Sequence, residues 1–169
     1  LLLATTSQGQ YVTFSDAATR DRFADYRREL NEGRRSFRDI VAREELQLDL
    51  RALEYYSHWV TPIGPPRRYD TRFFVALAPE HQVAAHDAGE TVADVWMAPT
   101  EALDRARRGE LEMIFPTVKN LEDIAHLHTA AEVVEFARQR RTIPRIEPRI
   151  VTRSGRTEIL MPSDDGYDE

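Results

Sequence analysis

Arg67, Arg68 and Arg72 fall within one six-residue span around Asp70, in a Pro-rich stretch between two expected strands. A guanidinium offers a planar fork of donors that matches two phosphate oxygens. Prolines keep such a loop stiff, so little ordering entropy is lost on binding. The chemistry suggested is capture of a phosphate or diphosphate. The plainer alternative is an ordinary ion pair between Asp70 and one arginine at a strand start, with the other arginines solvated. A second set, His81, His86, Asp87 and Glu90, combines carboxylates suited to a hard cation with groups able to take a proton from water. Two carboxylates on a loop are too few to close a metal site, and the histidine spacing fits no zinc pattern. A solvated polar loop explains the same residues. His126 and His128 end an amphipathic stretch and are read as structural, where an imidazolium favours the carboxyl end of a helix dipole. Trp59 and Trp96 are assigned to the core. No Gly-rich phosphate loop, G-x-S-x-G elbow or H-E-x-x-H pair occurs.

Composition narrows the classes. At 169 residues the chain is one domain's worth, with 41% hydrophobic residues for a core. A formal charge of −6, from 23 basic and 29 acidic residues, argues against general nucleic-acid binding but not against a local basic loop. The absence of cysteine excludes a disulfide framework and thiolate chemistry. No apolar run approaches the roughly 18 residues of a membrane span, and Leu1–Ala4 is too short for a signal-peptide core. A cytoplasmic protein with no membrane partner is the expectation.

The elements that must position these residues follow from periodicity and punctuation. Ser15 or Asp16 can cap a helix to about Asn31, with Phe23, Tyr26 and Leu30 inward and Gly33 just past its end. Ser36 can cap a second helix to about Leu46, with Phe37, Ile40 and Val41 as its buried stripe. Leu53–Thr61 alternates as a strand does. Thr71–Ala78 is apolar on both faces, which predicts a central strand buried on both sides. Val92–Met97 is the next expected strand, and Pro99-Thr100 opens a helix that stops near Gly109. Pro116-Thr117 starts another helix. Thr129 and Glu132 form a capping box for a third, with Val133, Val134, Phe136 and Ala137 inward. Arg145–Pro162 alternates around Ser154-Gly155 as a hairpin. The predicted fold is α+β, a mixed sheet sandwiched between helices.

H-W-V-T-P from His58, R-R-Y-D-T-R-F-F from Arg67 and W-M-A-P-T-E-A-L from Trp96 together resemble the later half of a Nudix hydrolase domain. The resemblance is to the coenzyme A diphosphatase-like members of that superfamily and covers roughly Leu1 to Leu121. It implies a Nudix-like mixed sheet over residues 1–128, with a helical insertion at about 15–46. A C-terminal helix and hairpin extension would follow at 129–162, then an acidic tail at 163–169. It also implies hydrolysis of a diphosphate linkage in a small-molecule nucleoside diphosphate derivative, coenzyme A or its esters among them, with Mg²⁺ or Mn²⁺ as cofactor.

The family's signature, G-x5-E-x7-R-E-x2-E-E-x-G, places clustered glutamates on one helix, where they hold cations and activate water. It is not found in this chain. The nearest stretch, Ala42 to Leu50, lacks its glycines, so Glu44 and Glu45 are read as a solvated helix face. L-L-L-A at the start resembles the aliphatic residues that follow the signature's last glycine. The main catalytic glutamates are therefore expected upstream of Leu1. Carried over by position, Glu90 takes the place of an acid that reaches the metal site, with a catalytic role. Arg68 and Arg72 fall where they could face substrate phosphates.

Two other classes stay open: a Nudix-like binding or regulatory module without hydrolysis, and a helix–sheet interaction domain with no ligand. On the first reading the chain alone is inactive, and Thr71–Ala78 leaves apolar faces and strand edges uncovered. The expected partners are then an upstream segment of the same protein or a second copy in a homodimer.

Overall fold

The computed structural model describes residues 2–82, 95–153 and 155–168. They fall into two compact units, Leu1–Leu53 with Ala76–Trp96, and Glu54–Val75 with Met97–Glu169. In the first unit helices form where the sequence supplies a cap. The Asp16 carboxylate accepts from the Thr19 amide at 2.8 Å and opens α1, Ala17–Asn31. The chain leaves that helix through Gly33, whose φ of 68° suits a residue without a Cβ. Ser36 and Asp39 form a reciprocal capping box at the start of α2, Phe37–Arg43.

Two short strands, β1 (Ala4–Thr5) and β2 (Gln47–Leu48), pair antiparallel. Ala4, Val12 and Leu46 form the buried centre, with Leu2, Phe14, Phe23 and Val41 packed against it. One side chain replaces a strand here. Gln82 accepts from the Leu2 amide at 2.7 Å and donates to the carbonyls of Leu2 at 3.0 Å and Val12 at 2.7 Å. Glu44 corrects the sequence reading. It is the C-cap residue of α2 rather than a solvated face. Its carboxylate receives both arms of Arg22, at 3.0 and 3.1 Å, and the Tyr26 hydroxyl at 2.7 Å, pinning α1 to α2. The predicted α2 stripe holds at Ile40, whereas Phe37 is exposed.

The second unit is built on β3, Glu54–Val60. It pairs antiparallel with β4, Asp70–Val75, and parallel with β5, Arg145–Ile146. The result is a mixed three-stranded sheet in the order β4-β3-β5. Among the described strands β4 is thus an edge, not the buried central strand expected from its apolar run. Asp70 and Arg72 put charge on that edge, and Phe74 is half exposed. The strict alternation expected for β3 also breaks. A bulge between Tyr55 and Ser57 inserts Tyr56, so Tyr56 and Ser57 are buried in succession.

Three helices follow: α3 (Pro99–Arg107), α4 (Phe115–Ile124) and α5 (Ala130–Arg138), the last opened by the Thr129–Glu132 capping box. Asn120 of α4 joins the helix layer to β3. Its side-chain oxygen accepts from Ser57 Oγ at 2.8 Å and from Trp59 Nε1 at 3.0 Å. The Tyr56 hydroxyl donates to the Asp123 carboxylate at 2.5 Å, and burial with that carboxylate pushes the phenol well above its ordinary pKa. Arg140, beyond α5, stacks on the rings of Tyr56 at 4.8 Å and Phe136 at 4.6 Å. The expected hairpin is present as β6 (Arg149–Arg153) and β7 (Arg156–Leu160), with Gly155 at φ 77° in the turn.

Trp59 is core, as expected. Trp96 is not. It is 69% exposed, in a stretch from Val95 to Ala98 that joins no described strand, so no ladder turns its ring inward. Residues 92–94 of the strand expected there lie outside the described residues. The secondary structure as a whole is α+β, and among the described residues no helix is long and apolar enough to cross a membrane.

The Asn120 contacts give a stability prediction. Asn120→Ala leaves the buried donors of Ser57 and Trp59 without an acceptor, at about 1–3 kcal/mol for each. Urea denaturation of the variant should show that loss with an unchanged m-value. A midpoint equal to that of the parent chain would mean the two donors are satisfied elsewhere.

Candidate functional site

The register of β3 decides which residues of the arginine tract meet. His58 lies opposite Arg72 on β4 and opposite Arg145 on β5, so a row Arg72–His58–Arg145 crosses the sheet on one face. Two carboxylates flank the row. Asp70 Oδ1 lies 2.7 Å from His58 Nε2 and 3.1 Å from Arg72 Nη1. An ionised carboxylate has no proton to offer, so both nitrogens donate. Glu147, two residues beyond Arg145, accepts from Arg145 at 2.7 Å and also from Arg68.

Arg68 has a second tie, from Nε to the Thr61 carbonyl at 2.9 Å. Both arginines expected to face substrate phosphates therefore have carboxylate partners: Arg72 holds Asp70, and Arg68 holds Glu147. The ion pair at the strand start was one of the two readings, and it is present. Counting Arg67, the patch carries four guanidiniums against two carboxylates and keeps a positive balance. That balance suits a polyanionic ligand.

Asp70, beside the row, has a shifted proton affinity. The His58 hydrogen bond, followed by the charges of His58, Arg72 and Arg145, holds its carboxyl below the usual range.

Backbone alternation sends the odd residues of the same strands to the other face. There Trp59, Tyr69, Thr71 and Phe73 line an apolar cavity of about 400 Å³ with Phe115 of α4 and Ile159 of β7. Charged row and apolar cavity are two sides of one sheet.

Glu90, His86 and Asp87 lie outside the described residues. His81 is a backbone participant, its carbonyl accepting from the Phe14 amide at 3.0 Å. Among the described residues no group of three His, Cys, Asp or Glu side chains is placed to hold a metal ion, so those residues do not by themselves fit Mg²⁺ or Mn²⁺. His126 packs edge-on against Phe136, a structural contact. Sequence reasoning did not single out His58, Arg145 or Glu147. The even-numbered alternation of His58, Asp70 and Arg72 could have suggested the first. Nothing local marks the other two.

A family model described as the NUDT19 Nudix domain matches residues 1–124. Among curated proteins, the chain is similar to acyl-coenzyme A diphosphatase NUDT19 of Gallus gallus. The two are 27% identical over 154 residues, covering 86% of this chain and 40% of that protein. The Homo sapiens protein of the same name is 27% identical over 148 residues, covering 85% of the chain and 40% of its own length. That of Xenopus laevis is 24% identical over 156 residues, covering 89% and 41%. The chain thus spans about 40% of the length of these relatives. No solved structure matches it.

Asp70 makes a pH test of the row. Because its folded pKa is lowered, the unfolded chain binds more protons as pH falls below about 4. The stability from this contact is present above that range and is lost as pH drops through the folded value. The difference in melting temperature between the parent chain and Asp70→Asn should therefore shrink as pH falls through the carboxylate range. A difference independent of pH would remove Asp70 as its source.

Proposed function

Because the chain belongs to the NUDT19 Nudix domain family, we propose that it is part of a Nudix hydrolase that cleaves a diphosphate linkage in a nucleoside diphosphate derivative. Coenzyme A or its esters are the proposed substrates of the complete protein. The family match over residues 1–124 carries the reading. The geometry supports it: the tract that bears the resemblance forms β4 and its approach, and its Arg72 stands in a row with His58 and Arg145.

In this reading Arg72 and Arg145 meet phosphate oxygens, and Asp70 directs the Arg72 fork. Arg68 is the proposed second contact from the same tract, through Nη1, because its Nε and Nη2 are held by the Thr61 carbonyl and Glu147. A bidentate guanidinium fits both oxygens of one phosphoryl group and neutralises charge without a proton change. Mg²⁺ or Mn²⁺ is the proposed cofactor and supplies charge neutralisation and water activation when bound. The described residues offer it no cluster of ligands. Glu90 is proposed as one ligand, with a catalytic role, alongside glutamates of the family's signature in a complete protein.

One observation favours a second reading, a Nudix-like binding module without hydrolysis. The arginines proposed to take phosphates lie within the described residues, and among those residues no group of three His, Cys, Asp or Glu is placed to hold a metal.

Incubation of the complete protein with coenzyme A and Mg²⁺ or Mn²⁺ separates the two. Release of a nucleoside monophosphate, abolished by chelator, is expected. Binding of coenzyme A with no product under either metal would establish the module instead. In the active protein Glu90→Gln should lower turnover by about tenfold or more, the scale of losing one positioned catalytic group. Unchanged turnover would sink the role of Glu90.

A further inference from the structure

The geometry points to Glu147 as a positioning residue for the arginine loop, supplied by a part of the chain beyond the matched family domain. The family match ends at residue 124, yet β5 adds a strand to β3 and delivers Glu147 to the mouth of the loop. Glu147 is held from several sides. Its carboxylate lies between Arg68 and Arg145, and its carbonyl accepts from the Tyr167 hydroxyl at 2.6 Å. The Tyr167 ring in turn sits under the Arg149 guanidinium at 4.6 Å. Its side chain is only 20% exposed.

The loop between β3 and β4 closes on Thr61. The Thr61 amide donates to the Tyr69 carbonyl at 2.9 Å, and the Tyr69 amide donates to Thr61 Oγ1 at 2.9 Å. Arg68 adds its own bond to the Thr61 carbonyl and extends to Glu147. It therefore ties the loop to both β3 and the residue after β5. Arg67, its neighbour, is exposed and makes no ion pair or hydrogen bond among the described residues.

The division of labour follows. Glu147 neutralises and immobilises Arg68, Arg68 fixes the loop, and Arg67 is presented to an anion from a backbone already ordered. Glu147 itself does not touch the ligand. The inference rests on the proposal that the arginine tract takes substrate phosphates, and it adds Arg67 as a further group that meets them.

The test uses the full chain, with coenzyme A as ligand and trypsin as the probe of loop order, since cleavage after Arg67 or Arg68 requires the loop to open. Glu147→Ala should speed that cleavage about fivefold, the scale of one partly exposed ion pair. It should weaken coenzyme A binding by a similar factor. Glu147→Gln, which keeps the shape without the charge, guards against a variant that fails to fold. Glu147→Asp should restore part of the protection. On an Arg68→Ala background Glu147→Ala should add nothing to the cleavage rate, because the tie to the loop is already cut. Arg67→Ala should weaken coenzyme A binding without loosening the loop.

Cleavage of Glu147→Ala and Glu147→Gln at the parental rate would overturn the inference. So would an undiminished effect of Glu147→Ala on cleavage in the Arg68→Ala background. Cleavage that changes as expected, in a protein that shows no affinity for coenzyme A, would uphold the positioning and remove the proposed substrate.

Discussion

The register of β3 is the constraint on which the second unit depends. Its Glu54–Val60 backbone pairs with strands on both sides, so one choice of register fixes both faces of the sheet. A slip of one residue would send His58 toward Asn120 and Trp59 toward the arginines. Neither exchange is tolerable. Trp59 would lose its indole acceptor, and a row of like charges would lose the residue that links it to Asp70. The bulge at Tyr56 sharpens this specification, because it permits the Tyr56 and Ser57 side chains to meet α4 in succession. A polar hub of this kind contributes little net stability for each bond. Its force lies in the cost of leaving any one member unpaired.

The first unit solves a smaller problem by similar means. Two-residue strands cannot hold a fold by their ladders alone. Side chains take over: Gln82 bonds to the main chain at Leu2 and Val12, and Glu44 gathers Arg22 and Tyr26 from α1. The Glu44 carboxyl illustrates the balance. Burial raises its pKa, but the bonds from Tyr26 and Arg22 outweigh that, and the net shift is downward.

Features encoded over a few residues were legible in the sequence. Asp16, Ser36 and Thr129 each announce a helix start by chemistry confined to four positions, and all three cap as expected. The hairpin around Gly155 and the burial of Trp59 were legible for the same reason. What the sequence hid is non-local. Arg68 and Glu147 are 79 residues apart, and no periodicity connects them. Glu44 looked solvated because its partners lie on another helix. The Tyr56 bulge was invisible to a reading that assumed a regular pleat. Thr71–Ala78 misled in a different way: apolar composition on both faces describes what a strand could bury, not how many neighbours it has. β4 shows the difference: it is an edge among the described strands, with Phe74 half exposed. At the site, the tract itself could be recognised, but which arginine holds which carboxylate could not.

That pairing bears directly on whether the arginines can serve a ligand. An arginine bound to a carboxylate is not thereby withdrawn from chemistry. Arg72 and Asp70 are both about half exposed, and ion pairs in such settings contribute roughly 0–1 kcal/mol. A diphosphate carries more negative charge than Asp70 and offers several oxygens to one guanidinium fork. Exchange of Asp70 for phosphate on Arg72 would therefore cost little. His58 remains to hold the displaced carboxylate, so Asp70 need not be left unpaired. Arg68 is different. Its partner Glu147 is largely covered and is shared with Arg145, and its Nε is already committed to the Thr61 carbonyl. Removing Arg68 from that arrangement would open the loop as well as break an ion pair. The two arginines that looked equivalent in the sequence are thus divided by their surroundings: Arg72 is placed to exchange partners, and Arg68 to stay.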